Sequence, residues 1–273
     1  VQEEQNQLNV EIQYLLKKSI LQEAIQGKLV PQIAEEGTAQ ELLEQIKTEK
    51  EKLVKDGKLK KSALTDSVIF KGDDNKYYEQ VGKSDKEITE EIAFDLPNGW
   101  SWCRLKDICS IFTGATFKKE ETVTTKEGVR ILRGGNISPF ELRIKDDDIF
   151  LTKDKVKEDI ILKENDILTP AVTSLENIGK MVRVNSDMPN TTVGGFVFII
   201  RLYLKNQWLS KYILYLLSSP FMIDFMKSIT NKSGQAFYNI GKERLSTALL
   251  PIPSLAEQHR IVAQIEKLFE QLR

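Results

Sequence analysis

Three stretches of the sequence gather groups that can hydrogen-bond a polyanion or the edges of bases. Thr113-Gly114-Ala115-Thr116-Phe117-Lys118-Lys119 ends in two lysines beside an aromatic ring. Arg130-Ile131-Leu132-Arg133-Gly134-Gly135-Asn136 sets two arginines three residues apart beside a glycine turn. Asn231 to Asn239 (NKSGQAFYN) mixes a cation, amides, hydroxyls and aromatics around Gly234. In a major groove, Arg and Lys pair with guanine, Asn and Gln with adenine, and apolar groups meet the thymine methyl. Phosphates are held by Lys, Arg, Ser, Thr and backbone N–H groups. On that chemistry Lys118, Lys119, Arg130, Arg133 and Lys232 are candidates for phosphate or guanine contacts. Asn136, Gln235, Tyr238 and Asn239 are candidates for base-edge or sugar contacts. Composition alone does not separate this reading from that of ordinary polar surface loops.

Other chemistries have less to draw on. The glycine pairs Gly134-Gly135 and Gly194-Gly195 fit neither a dinucleotide-binding nor a P-loop frame. His259 is the single histidine, in a C-terminal helix beside Arg260 and off its apolar stripe. It reads as a surface residue, so a Ser-His-Asp triad or histidine metal site has little to build on. Asp146-Asp147-Asp148 could hold a metal, but beside Lys145 and Ile149 it reads more readily as a solvated turn. Nothing resembles a methyltransferase cofactor loop. Cys103 and Cys109, six apart, fit no disulfide framework or zinc spacing and read as reduced thiols. With 39 Lys and Arg against 40 Asp and Glu, the formal net charge is −1. That disfavours binding nucleic acid by bulk charge and leaves room for a local basic face.

Helices at both ends must position these loops. Residues 3–26 carry Leu8, Ile12, Leu15, Leu16, Ile20 and Ala24 on one face, with acids early and Lys17 and Lys18 late, as the helix dipole prefers. Gly27 suits the C-terminal cap and Pro31 stops continuation. A second helix spans about 38–55, opened by the capping box Thr38-Ala39-Gln40-Glu41. At the other end Ser254 caps a helix whose Ile261, Ile265, Leu268 and Leu272 recur at steps of four, three and four, the spacing of a helix that packs along another. Leu8, Ile12, Leu15, Ile261, Ile265 and Leu268 are therefore the expected helix-pairing seam. Between the ends the texture turns to short β-rich runs and turns. Strands are expected at 68–71, 102–105, 129–132, 166–171, 179–184 and 193–202, and short helices at 105–110, 208–217, 220–229 and 241–248. The expected fold class is α+β. The 273 residues divide into a helical region at 1–62, a globular domain at 63–250 and a terminal helix at 251–273. No run of eighteen apolar residues suggests a membrane span, and the polar, acidic start VQEEQNQLNV is no secretory signal. The reading is of a cytoplasmic chain whose start at Val1 fits a fragment or trimmed form.

Four stretches carry a resemblance. Ser19–Gln32 (SILQEAIQGKLVPQ) and Glu41–Lys61 (ELLEQIKTEKEKLVKDGKLKK) resemble the central conserved helical region of DNA specificity subunits of type I restriction-modification systems. Leu96–Ile108 (LPNGWSWCRLKDI) resembles the entry to a target recognition domain of that family. Pro251–Phe269 (PIPSLAEQHRIVAQIEKLF) resembles the exit into the next conserved helix. The resemblance implies a non-catalytic subunit with no cofactor of its own. One target recognition domain would read half of a bipartite duplex DNA site. Long flanking helices, packed as an antiparallel coiled coil, would set the gap and dock methyltransferase subunits. Those partners would bring S-adenosylmethionine, and a motor-nuclease subunit would bring ATP-driven cleavage. The family's full subunits look like two such domains, and this chain holds one. It is therefore expected to be one half of a longer subunit or to pair with a second copy of itself. Two rival classes stay open: a metal-dependent nuclease or methyltransferase fragment using Asp146–Asp148, and a helical scaffold or adaptor without a DNA role.

Overall fold

The computed structural model describes residues 2–123, 126–234 and 236–272. Helix α1 spans Gln2–Ile25. It stops because Gly27 takes φ +68, while the N–H groups of Lys28 and Gly27 donate back to the carbonyls of Glu23 and Ala24 at 3.0 and 3.2 Å. That is a Schellman ending, which needs a residue free to adopt the left-handed conformation. Helix α2 (Ala39–Lys55) carries the expected capping box: Thr38 and Glu41 bond reciprocally. Four further helices follow, α3 (Leu105–Ile108), α4 (Gln207–Leu217), α5 (Pro220–Ser228) and α6 (Lys242–Ser246), before α7 (Leu255–Gln271), capped by Ser254.

A four-stranded antiparallel sheet lies at the centre, in the order Val182–Arg183, Ile167–Pro170, Val197–Leu202, Cys109–Thr113. One face of it packs on α4, and α4 in turn packs on α7, so Phe198, Ile200, Tyr212, Leu216, Ile261 and Ile265 fall in one buried cluster. The same cluster takes in Leu21, Ala24 and Ile25 of α1 and Leu42 and Ile46 of α2. A second sheet joins Val129–Leu132 to Thr191–Val193 in parallel and to Ile149–Leu151 antiparallel. A three-stranded meander (Ser67–Lys71, Tyr77–Val81, Ser84–Glu87) rests on Trp102, and the buried Arg104–Glu79 pair at 2.7 Å holds its inner face. Cys103 and Cys109 are buried free thiols.

Several expected boundaries move. The run at 193–202 is two strands, because Thr191–Val193 and Val197–Leu202 belong to different sheets and Gly194-Gly195-Phe196 turns between them. The helix expected at 105–110 ends at Ile108, where Cys109 and Ser110 join the central sheet opposite Leu202 and Arg201. Only Val182–Arg183 of 179–184 is strand. The expected seam is not assembled within this chain. Ile261 and Ile265 are fully buried in the domain core, whereas Leu8, Ile12 and Leu15 stand 55%, 44% and 55% exposed and Leu268 is half-buried. The C-terminal half of α1 does run antiparallel to α7: Lys17 lies 5.6 Å from the Phe269 ring, and Gln32 reaches Glu257. The N-terminal half projects as an arm.

At the root of that arm the stretches bearing the resemblance meet. The Glu257 carboxylate is buried, accepting the Trp100 indole N–H at 3.0 Å and the Gln32 amide at 3.2 Å. Arg260 forks onto Glu36 at 2.8 and 2.6 Å and donates to the Pro31 carbonyl at 2.9 Å. The Ala39 N–H donates to the Gly99 carbonyl at 2.8 Å. A Cβ on Gly27 would stand 2.3 Å from Pro97 Cγ. Burial raises the Glu257 carboxyl, and the bonds from Gln32 and Trp100 only partly offset it.

Candidate nucleic-acid interface

The three polar loops come together on the turn Gly194-Gly195-Phe196. Ala115 of the first loop bridges Gly194 in parallel, its N–H donating to the Val193 carbonyl at 2.8 Å. The approach is close enough that a Cβ on Gly114 would stand 1.8 Å from the Val193 oxygen, so only glycine fits there. The second loop joins through the Gly194 N–H, which donates to the Leu132 carbonyl at 2.8 Å, and through Gly134, whose Cβ position lies 3.7 Å from Pro170. The third is a hairpin, Thr230–Ser233 paired with Phe237–Ile240, and it extends onto Val172–Thr173. Ala171 then ties hairpin to turn: its N–H donates to the Phe196 carbonyl at 2.8 Å and its carbonyl accepts from the Ile240 N–H at 2.9 Å.

This end of the molecule is rich in unspent groups. Phe196 is 73% exposed and Phe237 55%, the former more than any other large apolar side chain described. Lys118, Lys119 and Lys232 are exposed and make no ion pair among the described residues. Arg133 touches Asp147 at 3.2 Å, both ends open to solvent, so the pair is weak and its cation can be redirected.

Two candidates have other employment. Asn136 is buried and its amide is fully used. Its Oδ1 accepts the Arg133 N–H at 2.7 Å, and its Nδ2 donates to the Arg143 carbonyl at 2.8 Å and to Asp148 Oδ1 at 2.6 Å. It shapes the arginine loop and presents nothing to a ligand, which corrects the sequence reading. Arg130 is half-buried, stacked 4.9 Å over Phe150 and paired with the buried Asp148 at 2.9 Å. Burial pushes the Asp148 carboxyl up, but hydrogen bonds from Lys145 N–H, Asn136 and Arg130 outweigh it and hold it below the ordinary carboxylate range. Asp148 is therefore an internal lock, while Asp147 serves Arg133 and Asp146 stands exposed near Lys126. The described residues contain no group of three or more His, Cys, Asp or Glu suited to a metal.

Strand alternation splits the hairpin candidates. Asn239 lies opposite Asn231 and shares a face with Phe237; Tyr238 lies opposite Lys232 and Thr173 on the other face, with the buried Ile240. A ligand on the outer face meets Asn231, Asn239 and Phe237, and neither Tyr238 nor Lys232. Gln235 lies outside the described residues. Phe196 and Asn231 were not among the sequence candidates as contacts of their own; an aromatic directly after a glycine pair was the available signal for Phe196.

Known proteins share sequence with this chain. The chain is 31% identical over 273 residues to the type I restriction enzyme EcoAI specificity subunit of Escherichia coli, covering 93% of this chain and 39% of that protein. It is 26% identical over 258 residues to the EcoEI specificity subunit of Escherichia coli, covering 93% and 40%. A crystal structure of the HsdS subunit from Thermoanaerobacter tengcongensis aligns with a TM-score of 0.46 at 23% identity, over 66% of this chain and 40% of that one. The chain thus spans about two fifths of the length of these relatives. No helix among the described residues is long and apolar enough to cross a membrane. Residues 97–273 match the family described as type I restriction modification DNA specificity domain, and the chain belongs to that family.

Proposed function

We propose that this chain is a non-catalytic specificity module that reads one half of a bipartite duplex DNA target and directs methyltransferase subunits to it. The observation that carries the reading is the convergence of three loops on Gly194–Phe196, which brings to one end of the molecule lysines unpaired among the described residues, a loosely held arginine and two exposed aromatic rings. Lys118 and Lys119 hold phosphates, which position the duplex without reading it, while Lys232 lies with Tyr238 on the other face of the hairpin. Arg133, Asn239 and Asn231 reach base edges, and Phe196 supplies an apolar contact of the kind a thymine methyl accepts. A net charge of −1 gives the isolated chain little long-range pull on DNA. The partner subunits supply much of the grip and bring S-adenosylmethionine; a motor-nuclease subunit, where the system has one, brings ATP.

The arm supplies the second half of the reading. Leu8, Ile12 and Leu15 are exposed apolar side chains on a helix whose root is built into the domain. Such a stripe is stable in water when another helix covers it. Its partner is the matching helix of a second recognition domain, in a second copy or in a longer chain, and the methyltransferase subunits dock on the resulting pair.

The test is a genome-wide map of DNA methylation in the source cell with and without this gene. Loss of one bipartite adenine-methylated motif supports the reading. A palindromic motif identifies two copies, an asymmetric one two different domains. No change in any motif, with the gene and its neighbours expressed, sinks it.

A further inference from the structure

We propose that the latch formed by Gln32, Glu36, Trp100, Glu257 and Arg260 fixes the direction in which α1 leaves the domain, and so fixes the length of the gap between the two halves of the DNA target. This rests on the reading above, in which the arm joins two recognition domains. The latch sits where the arm becomes domain. Upstream, residues 8–16 of α1 present exposed apolar side chains; downstream, Leu21, Ala24 and Ile25 are buried. The chain after Gly27 is then strapped along α7, by Gln32 to Glu257 at 3.2 Å and by Pro31 and Glu36 to Arg260 at 2.9 and 2.6 Å.

Apolar packing alone would tolerate small slips of one helix on another. The latch does not, because each bond has one geometry. Glu257 is buried against two neutral donors with no cation in bonding range among the described residues, an arrangement that adds little net stability. Its return is a single arrangement of three chain segments. Arg260 adds a planar fork that accepts one orientation of the Glu36 carboxylate. Leverage makes the angle matter. The part of α1 before its first buried residue, residues 2–20, is about 28 Å long at 1.5 Å per residue. A tilt of about 7° at its root moves its far end by about 3.4 Å, close to the rise of one base pair.

The experiment expresses the full chain with the methyltransferase subunit it serves and maps methylated motifs. Three forms are compared: wild type, the double variant Glu257→Ala/Arg260→Ala, and the conservative Glu257→Gln. Wild type is expected to give one gap length, and so is Glu257→Gln, which keeps one of the two bonds at that position and the whole Arg260–Glu36 fork. The double variant is expected to keep the half-site sequences but to methylate, in addition, sites whose gap differs by one base pair, at a tenth or more of the wild-type level. A merely structural role lowers methylation everywhere without new gap lengths. A double variant that methylates only the original gap overturns the proposal. Should the double variant lose all methylation, Glu36→Gln, which keeps the side chain's shape and removes its charge, decides in its place by the same two outcomes. A wild type without any bipartite motif overturns the functional reading instead, and this role with it.

Discussion

Arg260 and Arg133 both lie beside a carboxylate, and their surroundings set them apart. Arg260 is three-quarters buried, forks onto a carboxylate that is itself mostly covered, and adds a backbone carbonyl. Arg133 reaches one residue through a single nitrogen, the Asp147 carboxylate at 3.2 Å and its backbone carbonyl at 3.1 Å, and both side chains are open to solvent, the aspartate 75% exposed. The same contrast runs through their neighbourhoods. At the latch, Trp100 is buried with its N–H spent on Glu257, and Gln32 is bonded to the same carboxylate. At the loop end, Phe196 and Phe237 stand in solvent and the lysines are unpaired among the described residues. Charges that are desolvated and fully partnered hold segments in one arrangement, and moving them costs several kcal/mol. Charges left in water can be redirected to a ligand at almost no cost. One set of residue types thus builds a joint at one place and an open, solvated surface at another.

Substitutions can break or sharpen that contrast. The largest effect belongs on the joint side. Ile265→Asp buries a charge in a fully enclosed site and should cost about 4 kcal/mol or more, read as a drop in the denaturant midpoint. Unchanged stability would mean that α7 is not part of the core. Next comes Gly114→Ala, whose Cβ would strike the Val193 carbonyl and force the first loop off the central turn. A cost of about 1–3 kcal/mol is expected in unfolding, together with weaker DNA binding. A variant that binds DNA as well as wild type would separate this loop from the interface. Arg133→Ala should leave stability unchanged, cost about 1–3 kcal/mol in binding and relax specificity at one position. Lys118→Ala should instead weaken binding to all sequences and lower the salt slope by about one. Titrations at several salt concentrations against the cognate and scrambled duplexes distinguish the two.

The smallest effect is a pH dependence. Burial raises the Glu257 carboxyl in the folded chain, so the folded state binds that proton more tightly than the unfolded one. Its contribution is complete below the ordinary carboxylate range and is lost as pH rises through the raised folded value. Glu257→Gln cannot ionise and escapes that loss. Its amide oxygen serves only one of the two donors, a cost that does not vary with pH, so its stability relative to wild type should rise from mildly acid to neutral pH and level off toward about pH 4. A difference that does not vary with pH would mean that the carboxyl titrates alike in both states.

What could be read from the chain was what local pattern encodes. The stop at Gly27, the box at Thr38–Glu41 and the cap at Ser254 are interactions within four or five residues, and all three lie where the sequence puts them. Helices α4 and α5 follow from an apolar periodicity opened by Asn206 and Ser219 caps. The meander strands Tyr77–Val81 and Ser84–Glu87 were missed because they are polar on most positions; their signals were the turns at Asn75 and Gly82, both at positive φ. Cys109–Thr113 is strand because Phe198–Leu202 pairs with it from ninety residues away, which no local window contains. The candidate surface was legible as three loops, though not in how each side chain in them is used. Asn136 beside a glycine turn has the look of a base reader, and only the position of Asp148 shows its amide already spent. Phe196 disappeared into an apolar run until the Gly194-Gly195 turn separated it from the buried strand.

The most direct test is hydrogen exchange of the chain, in its complex with the methyltransferase subunits, with and without a duplex carrying its methylated motif. Slowed exchange should appear at 113–119, 130–136, 194–196 and 230–240 together, with none in the meander at 67–87. Protection of the meander with no change in those loops would contradict the claim that the turn at Gly194–Phe196 is the centre of the DNA-reading surface.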